Sequence, residues 1–236
     1  MRLAIMQPYF LPYIGYFQLM AAVDKFVLLD DVNFINRGWI NRNRIAVNGE
    51  PYWLTLPLAK ASQNRLINEI DIIDDPEWRR KTMRTVELAY NDAPFAGSVL
   101  PFFQKLLSDA TGSLPKFLFG QLRQIADYVG IRTEMEPTSA IYPKQGRTGQ
   151  DRILDICARE GATSYLNLPG GRSLYDTESF AATGIELLFL DPNLPALTLQ
   201  HSGAQGPVLS ILDILMLNSA GAIREATQAA GLEPAQ

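Results

Sequence analysis

Two carboxylates stand side by side at Asp30-Asp31, directly after an apolar run. The thirteen positions that follow, VNFINRGWINRNR, bring three arginines and four asparagines. Carboxylates after a strand stand where the loops of an α/β sheet form the active face, a place suited to acid-base groups. Guanidinium forks match phosphate or carboxylate oxygens two at a time, and amide side chains can orient what is held. The pattern suits a polyphosphate or sugar nucleotide. Asp30 and Asp31 are the candidate bases, Arg37, Arg42 and Arg44 the candidate diphosphate clamp, and Asn33, Trp39 and Asn41 their binding neighbours. The competing reading is a solvated arm whose arginines make surface ion pairs with Asp30 or Asp31, each worth little.

A second candidate is the run Gln7-Pro8-Tyr9-Phe10-Leu11-Pro12-Tyr13-Ile14-Gly15-Tyr16, set between a strand-like and a helix-like segment. Ligands of open α/β sheets bind beyond the carboxyl ends of strands, where a helix N-terminus offers free amides. Gln7 and the amides near Gly15 could stabilise negative charge, with Pro8, Tyr9, Tyr13 and Tyr16 as binding residues. The same aromatics could equally be packing side chains. Three signals are weaker. Lys144-Gln145-Gly146-Arg147-Thr148 precedes a helix and could hold an anion, or be an ordinary cap. Pro169-Gly170-Gly171-Arg172-Ser173-Leu174-Tyr175 is a Gly-rich loop, with Gly171 and Tyr175 as candidates, but lacks the Gly-x4-Gly-Lys-Ser/Thr phosphate pattern and could be a tight turn. His201, the single histidine, could serve as an acid-base group because imidazole titrates near neutrality, or be a structural residue.

The elements that must position these residues begin with short apolar runs at Leu3–Met6 and Phe26–Leu29, joined by a helix-patterned segment from Gly15. That order is a βαβ unit and implies a parallel sheet. Asn48-Gly49 between two strand-like runs predicts a hairpin over about 42–57, since a type I′ turn needs positive φ at both central residues. Ile67–Ile73 has strand-like alternation. Asp75-Pro76-Glu77 opens a helix running to about Tyr90, and helices follow at about 98–110 and 114–129, ended by Gly112 and Gly130. Thr148 caps a helix at 149–160, strands are expected at 164–168 and 184–192, and helices at 207–216 and about 219–230. No repeat or low-complexity linker divides the chain, so the expectation is one α/β domain over 1–236, with a helical sub-region at about 75–130.

Composition removes several function classes. With 47% hydrophobic and 19% charged residues the chain is an ordinary globular one, not a disordered one. Its net charge of −4 gives no global attraction to nucleic acid or anionic membrane. One cysteine, Cys157, can form neither an internal disulfide nor a zinc ribbon. One histidine excludes a metal site built from several, and no metal site is expected. The opening residues lack a signal-peptide pattern, and no apolar run is long enough to span a bilayer. A cytoplasmic protein is expected.

Tyr13-Ile14-Gly15-Tyr16 resembles in spacing the His-x-Gly-His signature of adenylylating nucleotidyltransferases, with both histidines replaced by tyrosine. On a wider scale, AIMQPYFLPYIGYFQLMAAVDKFVLLDDVNFINRGWINRNRI, YLNLPGGRSLYD and PVLSILDILM together resemble the WbqC-like family, over nearly the whole chain. The matching positions are Gln7, Pro8, Tyr9, Pro12, Gly15 and Tyr16, then Asp30, Asp31, Asn33, Arg37, Trp39, Asn41 and Arg42, then Gly171 and Tyr175, and Ser210 and Asp213. The resemblance implies a role in O-antigen type surface polysaccharide synthesis, with transfer of glycine or another amino acid onto an aminosugar or sugar nucleotide. The fold expected is Rossmann-like and nucleotidyltransferase-type: a short parallel sheet, an inserted β-hairpin and a helical middle region. ATP is one cofactor such a reaction could use. The alternative donor is carrier-borne, with charged tRNA the one nucleic-acid partner left open. Two further readings stay beside this one, a non-catalytic nucleotide or sugar-nucleotide binding module and an ATP-dependent adenylylating ligase.

Overall fold

A computed structural model describes residues 1–192, 197–198 and 209–235. The N-terminal βαβ unit is present as β1 (Arg2–Met6), α1 (Ile14–Ala21) and β2 (Lys25–Leu28), with β1 and β2 paired in parallel from Leu3 opposite Lys25 to Met6 opposite Leu28. A hairpin follows, β3 (Arg42–Val47) and β4 (Glu50–Thr55), in antiparallel register. Its turn has Asn48 at φ 52° and Gly49 at φ 81°, the doubly positive geometry that Asn-Gly supplies at low cost.

The middle of the chain holds β5 (Leu58–Ala59), β6 (Asp71–Ile72), α2 (Pro76–Tyr90), α3 (Ala96–Ser108), β7 (Gly112–Ser113) and α4 (Leu114–Val129). The start of α2 follows its sequence signal: Asp75 accepts a hydrogen bond from the Trp78 amide, and Pro76 fills the first turn. Gly130, at φ 83°, closes α4 in the left-handed conformation. Gly112 does not end α3. That helix stops at Asp109, and Gly112 lies in β7, which pairs with β6. The strand expected over 67–73 is also shorter. Ile67–Glu69 is a single 3-10 turn and only Asp71–Ile72 is extended.

The last third contains β8 (Glu134–Glu136), α5 (Gly149–Glu160), β9 (Ser164–Asn167), α6 (Thr177–Ala182), β10 (Glu186–Asp191), α7 (Ile211–Leu217), α8 (Ala220–Gln228) and β11 (Gly231–Pro234). Of the segment expected at 207–216, α7 takes the part from Ile211 onward, Leu209 and the N-cap Ser210 are not helical, and 207–208 lie outside the described residues.

Among the described residues the main sheet has the order β11-β10-β9-β1-β2-β8. Its ladders are parallel, as expected, except β10 with β11, so the sheet is mixed. Side chains alternate between its faces. Ala4, Phe26, Leu28, Leu166, Leu188 and Leu190 join one core with residues of α1, α3, α4, α7 and α8. Leu3, Ile5, Val27, Tyr165, Leu187 and Phe189 join another, with residues of α5 and α6. The result is an α/β fold of generic Rossmann-like arrangement with helical regions. From β1 the chain runs outward one way to β2 and β8 and the other way to β9, β10 and β11. The strand order therefore reverses at β1, the place where α/β sheets open a crevice at their carboxyl ends. No helix of the described residues is long and apolar enough to cross a membrane.

Candidate functional site

Beyond the carboxyl end of β2 the chain delivers Asp30 and Asp31, both buried, at 2% and 5% exposure. Ser139 stands between them. Its hydroxyl donates to Asp31 Oδ1 and lies 3.3 Å from Asp30 Oδ1, while the backbone amides of Asp30 and Asp31 point to it at 3.2 and 3.4 Å. Asp30 Oδ1 also accepts from Thr138 Oγ1 at 2.7 Å and from the Ser139 amide at 3.1 Å; Oδ2 accepts none of these bonds. Burial pushes the Asp30 carboxyl above its ordinary value, against those hydrogen bonds and with some help from the Asp31 charge.

Asp31 is the anchor of two cations. Arg152 Nη2, from the first turn of α5, meets Asp31 Oδ2 at 3.0 Å and also donates to the carbonyls of Ser139 and Tyr142 at 2.9 and 2.7 Å. Lys144 Nζ bonds the Asp31 carbonyl and lies 3.7 Å from Oδ2. Arg152 is 2% exposed, its Nη1 lies 3.7 Å from Asp155 Oδ2, and neither its Nε nor its Nη1 has a hydrogen-bond partner among the described residues.

Next to this cluster opens a cavity of about 470 Å³, bounded by Leu29, Val32 and Asn33 after β2, by Lys144, Arg147 and Arg152, by the α5 entry Thr148-Gly149-Gln150, and by Leu174 and Tyr175. Thr148 is the N-cap of α5, as its place in the sequence indicates, but its side chain makes no capping bond. Three cations and a helix N-terminus therefore border one cavity, Lys144 and Arg152 paired with Asp31 and Arg147 with Asp155 at 3.6 Å, an arrangement that can accept an anion. Tyr175 is fixed on the cavity wall by Tyr165 at 3.0 Å and by Asn167 Nδ2 at 2.9 Å, hydroxyl to hydroxyl and amide to hydroxyl. Gly171 belongs to the packing behind it: a Cβ there would lie 3.2 Å from the Asn167 side chain. Burial raises the Tyr175 phenol, so it stays neutral at ordinary pH.

The Gln7–Tyr16 loop lies after β1, and its groups are largely engaged within the protein. Tyr16 is fully buried and donates to the Gln7 carbonyl at 2.9 Å, and Pro8 is buried. The ring of Tyr13 lies across Gly15, where an added Cβ would sit 2.4 Å from Cε2; this close approach is what requires glycine. Asn43 of β3 ties the hairpin to the loop, donating to the carbonyls of Phe10 and Leu11 at 3.3 and 2.7 Å. Tyr9, Pro12, Tyr13, Trp39 and Asn43 surround a smaller cavity of about 230 Å³.

The arginine clamp expected beside Asp30 and Asp31 is placed differently. Arg42 lies 4.2 Å from the ring centre of Trp53 and donates to the carbonyls of Gly38 and Arg37. Arg44 lies 5.3 Å from both Trp39 and Trp53, Arg37 is exposed at φ 60°, and Asn41 donates to the Leu56 carbonyl. Among the described residues the carboxylate's ion pairs are instead with Arg152 and Lys144. Asn33, Lys144 and Tyr175, far apart in sequence, share the larger cavity. Arg152, Ser139 and Thr138 were not singled out from the sequence. Arg152 had one signal, an arginine next to Ile153, Ile156 and Cys157 on the buried stripe of an amphipathic helix. His201 lies outside the described residues.

No cluster of three or more metal-ligating side chains occurs among the described residues. No solved structure matches the chain. A protein of Mycobacterium tuberculosis (strain ATCC 25618 / H37Rv), "Uncharacterized protein Rv1507c", is 30% identical over 216 residues, covering 91% of this chain and 92% of that one. The family model for the WbqC-like protein family matches residues 7–225, so the residues around both cavities fall within its span and the chain belongs to the WbqC-like protein family.

Proposed function

We propose that this protein is a cytoplasmic enzyme of O-antigen type surface polysaccharide synthesis, joining the carboxyl group of an amino acid such as glycine to the amine of an aminosugar or sugar nucleotide. The observation that carries this reading is the cavity of about 470 Å³ at the carboxyl end of β2, with Lys144, Arg147 and Arg152 on its wall beside the entry of α5. A sugar nucleotide brings a diphosphate, whose charge those cations and the first-turn amides of α5 complement. In the reaction the amine nitrogen attacks the activated carboxyl carbon, the C–N bond forms and the bond to the activating group breaks. The proton leaving nitrogen passes to Asp30, whose raised affinity for protons suits a base. Activation comes from ATP, as in an adenylylating ligase, or from a carrier such as charged tRNA.

A second reading is favoured by the burial of both carboxylates and by their internal hydrogen bonds: a module that binds a nucleotide or sugar nucleotide without consuming it. Purified protein is incubated with a nucleotide-linked aminosugar, a panel of amino acids and ATP, or with aminoacyl-tRNA in place of both, and pyrophosphate and product mass are read. An amide-mass product supports the enzyme, and pyrophosphate with it identifies ATP as the activator. Binding of the sugar nucleotide with no product from either donor overturns the enzyme in favour of the module.

A further inference from the structure

The smaller cavity is chemically unlike the larger one. Its wall is Tyr9, Pro12, Tyr13, Trp39 and Asn43, with no charged residue among them, and its volume of about 230 Å³ is below the 300–1,000 Å³ of drug-sized sites, so it takes a single ring. The phenols of Tyr9 and Tyr13 stay neutral, raised by burial, Tyr13 to about 12. Neither hydroxyl makes a hydrogen bond among the described residues, and both side chains line the cavity. Asn43 offers no free amide hydrogen, because Nδ2 serves the Phe10 and Leu11 carbonyls and Oδ1 already accepts from the Arg44 amide at 2.8 Å.

These features narrow the occupant. An aromatic cage can hold an organic cation, but the Arg44 guanidinium already sits 5.3 Å from the Trp39 ring centre and repels a second positive charge. A nucleobase is read by paired donors and acceptors on an amide or peptide edge, and the one side-chain amide here is spent. What remains is apolar aromatic faces with free hydroxyls at their edge, complementary to a pyranose, whose ring has an apolar C–H face and a hydroxylated rim. Gly15 is part of this design, since its missing Cβ lets the Tyr13 ring lie where it bounds the cavity.

We infer that the cavity of Tyr9, Pro12, Tyr13, Trp39 and Asn43 is a subsite for one uncharged sugar ring, separate from the anion-binding cavity at α5. The inference deepens the proposed function, from which it takes only that the substrate carries a sugar.

The test is ligand-observed saturation-transfer NMR on the full chain with the methyl glycoside of an N-acetylaminohexose, beside a parallel titration with uridine diphosphate. The glycoside is expected to bind saturably in the millimolar range. The double variant Tyr9→Phe/Tyr13→Phe, which keeps both rings, is expected to weaken it about tenfold by removing two hydrogen bonds. Trp39→Ala is expected to weaken it at least as much, and Lys144→Ala to leave it unchanged. Absence of saturation transfer, or equal transfer in the wild type and in both aromatic variants, overturns the subsite. If uridine diphosphate binds and is lost in Lys144→Ala while the glycoside does not bind, the larger cavity keeps its role and only the subsite falls. Glycoside binding without diphosphate binding does the reverse.

Discussion

Asp31 and Arg152 stand 121 positions apart in the chain and meet at 3.0 Å in the interior, 7% and 3% exposed at their side chains. A buried pair of this kind returns little net stability when formed but is costly to break, because the orphaned partner keeps its desolvation cost. Arg152→Met or Asp31→Asn is therefore expected to lower unfolding stability by about 3–5 kcal/mol. The double variant Asp31→Asn/Arg152→Met should lose clearly less than the sum. Denaturant unfolding of the four proteins measures both; additive losses would mean that the pair is not coupled.

Lys144 and Arg147 reach the same cavity from the turn before α5. If they hold phosphate oxygens, Lys144→Ala and Arg147→Ala should each weaken binding of a nucleoside diphosphate about tenfold, the scale of one charge-assisted hydrogen bond. Calorimetric titration at two salt concentrations is the check. A wild-type affinity that does not fall with salt would remove the electrostatic role.

Asp30 carries the base assignment. Asp30→Asn keeps the side chain's shape but cannot take a proton, so the rate should fall by about 10²–10⁴. Its carboxyl is held above the ordinary 3.8 by burial, so the acid limb of kcat/KM should lie above that of a free aspartate. A rate within about threefold of wild type would exclude Asp30 as base.

Glu160 gives a pH dependence of stability rather than of activity. Burial opposes its ionisation, but hydrogen bonds from Lys25 Nζ at 2.7 Å and from the Tyr142 hydroxyl hold its carboxyl below the ordinary 4.5. A depressed carboxylate adds stability that is present above 4.5 and lost as pH falls through the lower folded value. The gain is at most about 1 kcal/mol for this partly exposed pair. Glu160→Gln should melt below wild type at neutral pH, with the gap closing under acid; a gap that widens there would reverse the sign.

The sequence revealed local signals well and distant ones poorly. Asn48-Gly49, Asp75-Pro76 and Gly130 each encode their geometry within a few residues, and the hairpin, the start of α2 and the end of α4 follow them. Strand β8 has only three residues and β11 carries a proline, so neither shows the apolar alternation by which a strand is read. For the site, the carboxylates and Lys144 could be picked out by type and position. Their principal partner, Arg152, could not, because only the tertiary fold carries α5 to the end of β2. The density of Arg37, Arg42 and Arg44 in sequence suggested a clamp, yet in the structure Arg42 and Arg44 lie over the indole rings of Trp39 and Trp53.

The central position of β1 has a consequence during synthesis. Its partner on one side, β2, follows within about 20 residues, but its partner on the other side begins at Ser164. At about 5–20 residues per second, roughly 7–30 s separate the emergence of those two partners from the ribosome. For that interval one edge of β1, with the apolar Leu3, Ala4 and Ile5, has no native strand to pair with, and an unpaired edge of this kind is open to wrong pairing and to chaperone capture.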